Sequence, residues 1–279
     1  MKIGFIGTGN MGGALINGIV NSNSDNAIVV YDTNKAQIDK YKKISGVSSA
    51  DDIKSLIEQS DIIILAVKPN IFEKLLPEIK SVIDSFRDRD SQNDQNKTGD
   101  NKLFVSIAAG ISIKYMSHIL GSDVQIVRIM PNLAAMAGEG MSAVSRNNAV
   151  DDEPFSVVME IFNSVGKAVE VDEKMIDTVI GISGSSPAYV FMFIEALVNC
   201  AIEYGMSKDD ARIFASQAVL GSAKTVMESD EELSTLVDNV CSPGGTTIEA
   251  VMKLRENGFQ DDIREAMIAA IEKSEKMTK

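Results

Sequence analysis

The chain has 279 residues, 44% of them hydrophobic and 24% charged, a composition that fits a globular protein of about two domains and excludes a disordered, collagen-like or coiled-coil chain. Its 27 Lys and Arg against 40 Asp and Glu give a net charge of −13, which repels phosphate backbones and removes nucleic acid and anionic membrane surfaces from the expected partners. An anionic ligand must therefore be held by N–H groups aimed at it locally.

The first residues, Met1-Lys2-Ile3-Gly4-Phe5-Ile6-Gly7, read as a short strand ending in glycine, too short for a signal-peptide core. Up to about residue 171, short β-branched runs alternate with amphipathic stretches, the pattern of a parallel sheet with crossover helices. Strands are expected at residues 2–6, 27–31, 61–66, 103–107, 125–130, 141–145 and 168–171. Several are continuously apolar, as in Ile62-Ile63-Ile64-Leu65-Ala66-Val67, which a strand covered on both faces requires.

Gly7-Thr8-Gly9-Asn10-Met11-Gly12 follows the first strand and opens a helix over 11–20. In that context a GxGxxG pattern is a dinucleotide site. Gly7 makes the tight turn, Gly9 admits a pyrophosphate to the backbone and Gly12 lets the helix pack closely on the strand, with the helix N-terminus facing the anion. Asp32 ends the second strand, where a carboxylate accepts from the adenosine ribose and repels a 2′-phosphate, leaning the choice to NADH. Thr33, Asn34 and Lys35 follow and could hold that phosphate instead, so NADPH stays open. Two more stretches end strands at the edge where such sheets bind ligands: Ala66-Val67-Lys68-Pro69 and Ser106-Ile107-Ala108-Ala109-Gly110. Lys68 can neutralise cofactor charge, and small residues at Ala108 and Ala109 let a cofactor lie against backbone. Between them, a helix over 71–84 is expected to give way to a polar, solvated loop over 85–102. The one histidine, His118, falls in a helix-like stretch without the partners that a triad or metal site needs, and no metal is expected.

From Asp172 onward, helical periodicity replaces strands, with helices expected over 187–204, 208–228, 246–256 and 261–276. Ser186-Pro187 reads as an N-cap before a proline at the first helical position, and Ser207 with Asp210 as a capping box. The first of these helices carries Phe191, Met192, Phe193, Ile194, Leu197 and Val198 and needs cover on every side, for which a second subunit is the expected source. Glu195 interrupts it, so no membrane span is expected. The two cysteines, Cys200 and Cys241, lie far apart, which argues against a zinc ribbon or disulfide scaffold and fits a reducing cytoplasm. Cys241-Ser242-Pro243-Gly244-Gly245-Thr246-Thr247 precedes a helix and forms a second anion nest, sized for a small carboxylate. Cys241 reads as a packing residue, since nothing nearby activates it.

These blocks, with Arg128-Ile129-Met130-Pro131-Asn132, Ser183-Gly184-Ser185-Ser186-Pro187-Ala188-Tyr189 and Asp238-Asn239-Val240, resemble the pyrroline-5-carboxylate reductase family nearly end to end. The resemblance implies an α/β, Rossmann-type, doubly wound and mostly parallel sheet over 1–171, followed by an all-helical substrate-binding and dimerisation domain over 172–279. It implies NAD(P)H-dependent reduction of 1-pyrroline-5-carboxylate to L-proline by a homodimer interlaced through its helical domains, which can assemble into a ring of dimers. Carried onto this chain, the substrate carboxylate falls to the nest of Ser242, Gly244, Gly245 and Thr246, and Thr247 is the catalytic hydroxyl that meets the ring nitrogen. The cofactor falls to Gly7, Thr8, Gly9, Asn10, Met11, Gly12, Asp32, Thr33, Val67, Lys68, Ala108, Ala109, Pro131, Asn132 and Asn239. A β-hydroxyacid dehydrogenase would need a lysine that 187–204 lacks. A dinucleotide-sensing protein would not need the Ser-Pro-Gly-Gly-Thr-Thr loop.

Overall fold

The computed structural model describes residues 1–22, 26–90 and 102–279. By packing, the chain divides into two compact units, Met1–Gly184 with Ile271–Lys279, and Ser185–Ala270.

The first unit opens with β1 (Lys2–Ile6), α1 (Asn10–Asn21), β2 (Ala27–Tyr31), α2 (Lys35–Asp39), β3 (Val47–Ser49), α3 (Ile53–Gln59) and β4 (Ile62–Leu65). It continues through α4 (Phe72–Asp90), β5 (Leu103–Ser106), α5 (Ile113–Leu120), β6 (Gln125–Pro131), β7 (Gly140–Arg146), α6 (Asp152–Asn163) and β8 (Gly166–Glu170). A short helix, α7 (Ile176–Val179), then runs into a π-turn over Ile180–Gly184. The eight strands form one sheet in the order β3-β2-β1-β4-β5-β6-β7-β8, parallel except between β6 and β7. The order reverses direction between β1 and β4, and at such a switch point an open α/β sheet binds ligands beyond the carboxyl ends of its strands.

Alternate side chains bury on the two faces. Ile3, Phe5, Ile62 and Ile64 pack with Leu15, Ile16 and Phe162 on one face. Ile63, Leu65 and Phe104 pack with Leu56, Phe72 and Leu76 on the other. The fully buried run Ile62–Leu65 is the continuously apolar strand of the sequence, and its burial on both faces is what that pattern implied.

Four details differ from expectation. The helix expected to stop at residue 84 continues to Asp90, because Phe86 falls on the core face one turn beyond Val82 and Ile83 and is buried with them. The expected loop over 85–102 is therefore helical in its first residues, and residues 91–101 lie outside the described residues. β3 was not anticipated, and β8 starts and ends earlier than residues 168–171. By packing, residues 173–184 go with the sheet: Glu173 pairs with Arg128 at 3.0 Å, and the Asn132 side-chain amide donates to the Ser183 carbonyl at 3.0 Å.

Residues 185–270 hold the four expected helices, α8 (Ser186–Glu203), α9 (Lys208–Glu228), α11 (Thr246–Glu256) and the first turns of α12 (Phe259–Met277), and one that was not expected, α10 (Leu233–Val240). Pro187 does sit in the first turn of α8, but the expected Ser186 cap is not made, and Ser185, at the N-cap, is itself helical and makes no side-chain cap bond. The π-turn delivers the chain already helical, so there is no extended residue whose side chain could fold back. Ser207 does cap α9: its hydroxyl accepts the Asp210 N–H at 3.1 Å and donates to the Asp210 carboxylate at 2.7 Å. Ala211 and Ala215 are the buried residues of this unit, and α8 has none.

Candidate functional site: a dinucleotide cleft and a helix-start loop

The glycine turn lies at the sheet's switch point, between β1 and α1. Gly7 adopts φ +97, which favours glycine, and its N–H donates to the Tyr31 carbonyl at 2.8 Å. A methyl on Gly12 would meet the Gly7 carbonyl oxygen at 2.5 Å, whereas one on Gly9 would meet nothing within 4 Å. Gly12 is thus closed by packing, and Gly9 faces open space. Gly9 caps α1 without a side-chain bond, and no acidic residue occupies the first turn, so the helix start offers uncapped N–H groups to an anion.

Asp32 has a role that the sequence did not reveal. Its Oδ2 accepts both the backbone N–H and the hydroxyl of Thr8, at 2.8 and 3.0 Å, and its Oδ1 accepts the Asn34 N–H at 2.8 Å. The carboxylate therefore locks the glycine turn to the end of β2. Thr8 is almost fully buried beneath it. Gly7, Asp32, Thr33 and Val67 come together around a cavity of about 260 Å³ that Leu75, Lys74 and Glu78 also line. On the other side of Asp32 and Thr33 a second hollow of about 330 Å³ is edged by Lys35 and Lys42. A third, of about 210 Å³, is lined by Thr8, Gly9 and Asn10 together with Tyr41 and Lys40. Burial first, and the Asp32 carboxylate second, push the Tyr41 phenol up from its ordinary value, so it faces the cleft as a neutral hydroxyl. No periodic signal singled out Tyr41 in the sequence.

Lys68 is exposed and caps the 3₁₀ turn Pro69–Ile71. Ala108 and Ala109 follow β5, where the Ala108 N–H donates to the buried Ser106 hydroxyl at 3.3 Å. Pro131 closes β6. Asn132 accepts the Met141 N–H at 3.1 Å and donates to Ser183, so it ties β7 to the π-turn. Arg128 is buried with its Nη2 unpartnered, and its ion-pair partner Glu173 also accepts the Ile113 N–H at 2.8 Å. His118 is exposed on α5. Among the described residues, no group of three His, Cys, Asp or Glu could hold a metal ion.

In the helical unit, Ser242, Gly244, Gly245, Thr246 and Thr247 form one turn at the start of α11. Gly244 adopts φ +70, the Gly245 N–H donates to the Ser242 carbonyl at 2.9 Å, and Gly245 caps the helix without a side-chain bond. The first N–H groups of α11, with two threonine hydroxyls among them, are thus uncapped. Asn239, on α10, donates to Glu231 at 3.0 Å. Cys241 is half-buried and not in a disulfide.

A Rossmann-ordered sheet with a glycine turn at its switch point, joined to a helical unit with little core of its own, defines an NAD(P)-binding oxidoreductase with a dimerisation domain. The family model described as pyrroline-5-carboxylate reductase dimerisation matches residues 173–277, and that for coenzyme F420-dependent NADP oxidoreductases matches residues 2–87. A pyrroline-5-carboxylate reductase of Escherichia coli (strain K12) is 44% identical over 280 aligned positions, covering 100% of this chain and 98% of that one. The crystal structure of Plasmodium falciparum pyrroline carboxylate reductase with NADP bound matches with TM-score 0.84 and 33% identity, over 100% of this chain and 98% of that one. That of a Coxiella burnetii pyrroline-5-carboxylate reductase matches with TM-score 0.88 and 29% identity, over 99% and 98%. The chain belongs to the pyrroline-5-carboxylate reductase family.

The run Glu173–Glu203 is long and apolar enough to cross a membrane by length and composition, with none of its most apolar window buried. It falls within the residues that the dimerisation model matches.

Proposed function

We propose that this protein reduces 1-pyrroline-5-carboxylate to L-proline with a reduced nicotinamide dinucleotide. The observation that carries this reading is the uncapped start of α11 in the sequence Ser242-Pro243-Gly244-Gly245-Thr246-Thr247, an anion nest with hydroxyls in a chain that has a separate dinucleotide turn. The imine carbon of the protonated substrate is already electrophilic, so the protein needs to supply position and charge management rather than a strong acid or nucleophile. The dinucleotide, when bound, supplies the hydride. Gly7 to Gly12 hold its pyrophosphate, Asp32 and Thr33 its adenosine end, with Val67 and Lys68 alongside. Ala108, Ala109, Pro131 and Asn132 set the nicotinamide face, with Asn239 also near the cofactor. Ser242 to Thr246 fix the substrate carboxylate, and the Thr247 hydroxyl orients the ring nitrogen.

NADH is the better fit, since the Asp32 carboxylate, held in place by Thr8 and Asn34, lines the cavity at the end of β2 and repels a 2′-phosphate. Lys35 and Lys42 nearby argue the other way, and a lower kcat/KM with NADH than with NADPH would reverse the assignment. The net charge of −13 supports a protein that binds no nucleic acid. The homodimer is built through the helical unit, and light scattering reads whether dimers close into a larger ring.

The deciding experiment follows nicotinamide absorbance on adding pyrroline-5-carboxylate. Oxidation of the dinucleotide that depends on the imine, with proline as product, is the expected result. No turnover with either dinucleotide would overturn the reading.

A further inference from the structure

At its start the loop Ala108–Ala109–Gly110 is anchored by the burial of Ala108 and by the Ser106 hydroxyl, but at Gly110 there is no side chain to hold it. There the anchors come from residues 277–279. Residues 271–279 belong to the same packed unit as the sheet. The Lys279 N–H donates to the Gly110 carbonyl at 2.9 Å. The Met277 carbonyl presses on Gly110 so closely that a methyl there would lie 2.9 Å from its oxygen, and Gly110 itself adopts φ +73. The Ser112 hydroxyl, which also caps α5 by accepting the Tyr115 N–H, donates to the Lys279 carbonyl. The Lys279 ammonium pairs with Glu73 and lies 5.9 Å from the centre of the Tyr115 ring. One turn back, the Ser274 hydroxyl donates to the Asp177 carboxylate, which ties this segment to α7, and the Thr278 hydroxyl donates to the Ser274 carbonyl at 3.1 Å.

We propose that residues 277–279 act as a positioning strap for the Ala108–Gly110 loop, holding it where the nicotinamide face requires it. The proposal rests on the assignment of Ala108 and Ala109 to the cofactor. Ligand-binding loops are drawn from the low-stability end of a structure, and holding such a loop in its bound geometry lowers the cost of binding the ligand. Most of the grip is main-chain: the Lys279 N–H and the Met277 carbonyl act on Gly110 whatever side chain Lys279 carries. The Lys279–Glu73 pair is exposed and screened, so it contributes little.

That division sets the test. Lys279→Pro removes the N–H, while Lys279→Ala keeps it and removes only the ammonium. The expected result for Lys279→Pro is a KM for the dinucleotide raised about tenfold, with kcat at saturation within about twofold and faster hydrogen exchange at residues 108–112. Lys279→Ala should stay within about twofold of the parent. Should the proline variant fold poorly, deletion of Lys279 removes the same donor. Ala109→Asp separately tests whether the loop borders the cofactor: an unchanged dinucleotide KM there would overturn the site assignment and the strap with it. A raised KM in Ala109→Asp beside parent-like KM and exchange in Lys279→Pro would overturn the strap alone.

Discussion

Thr247 and Gly12 are the residues whose chemistry is most exposed to test. Thr247 carries the one side-chain hydrogen bond assigned to the substrate nitrogen, a bond to a charged group, for which roughly 1.5–3 kcal/mol is typical. Thr247→Ala should therefore lower kcat/KM for the imine by about 10- to 100-fold, while the dinucleotide affinity, measured by fluorescence titration, stays as it is. Thr247→Ser should recover most of the loss, because it restores the hydroxyl. Gly12 fails by a different route. The methyl of Gly12→Ala would sit 2.5 Å from the Gly7 carbonyl oxygen and 3.2 Å from the Ala66 methyl, contacts that backbone cannot yield cheaply. Either the turn opens or α1 shifts off the strand, and both move the N–H groups that meet the pyrophosphate. Dinucleotide KM should rise at least about tenfold, with a stability loss of about 1–3 kcal/mol from overpacking. A variant with parent-like KM would show that the turn is structural only.

At the scale of elements, α3 offers a clean pH test. Asp52 caps it in a full capping box with Ser55: its carboxylate accepts the Ser55 N–H at 2.7 Å, and the Ser55 hydroxyl accepts the Asp52 N–H at 3.2 Å. These bonds, the backbone one first, hold the Asp52 carboxyl below its usual range. A depressed folded-state pKa adds stability above the unfolded value of about 3.9, and that stability is lost as pH falls through the folded value. Asp52→Asn keeps a good cap without the titration. The difference in Tm between parent and variant should be flat above about pH 5 and shift against the parent below about pH 4. A flat difference down to pH 3 would show the bond to be unimportant. The elements themselves were unevenly legible. β4 could be read from four consecutive buried apolar residues, and α1 from its glycine turn. β3 could not, because Val47-Ser48-Ser49 is three residues long with no apolar alternation, and it is held by its pairing to β2. α10 was missed because Ser234, Thr235, Val237, Asp238 and Asn239 are all weak helix formers. Of the site, the glycine turn and the α11 start were visible as composition. The structural duties of Asp32 toward Thr8 and of Asn132 toward Met141 and Ser183 were not, since each depends on a partner that only the folded chain brings near.

For the whole molecule, the helical unit poses a stability problem that a second copy solves. A sequence that exposes Phe191, Met192, Ile213 and Phe214, each more than half accessible, leaves about 1.5–3 kcal/mol of burial per large side chain unused in a lone chain. Within the unit, Phe193 touches Phe259 with ring centres 6.4 Å apart, and α8 lies along α9, so the helices have an arrangement but little core. Since these residues fall in the dimerisation match, dimerisation is expected to supply the missing burial, and folding of the helical unit to be coupled to it. Two results should follow together. The Tm should rise with protein concentration, as for any dimer whose halves are incomplete alone. Phe191→Glu should raise the dimer dissociation constant at least about tenfold, since an aromatic anchor is replaced by a charge that would be buried unpaired. Activity should fall with it, because the Ser242–Thr247 loop belongs to the unit that loses its cover. Sedimentation across a concentration series, run beside the nicotinamide assay, reads both quantities on the same samples. A Phe191→Glu protein that sediments as a dimer with parent activity would place the subunit contact on another face.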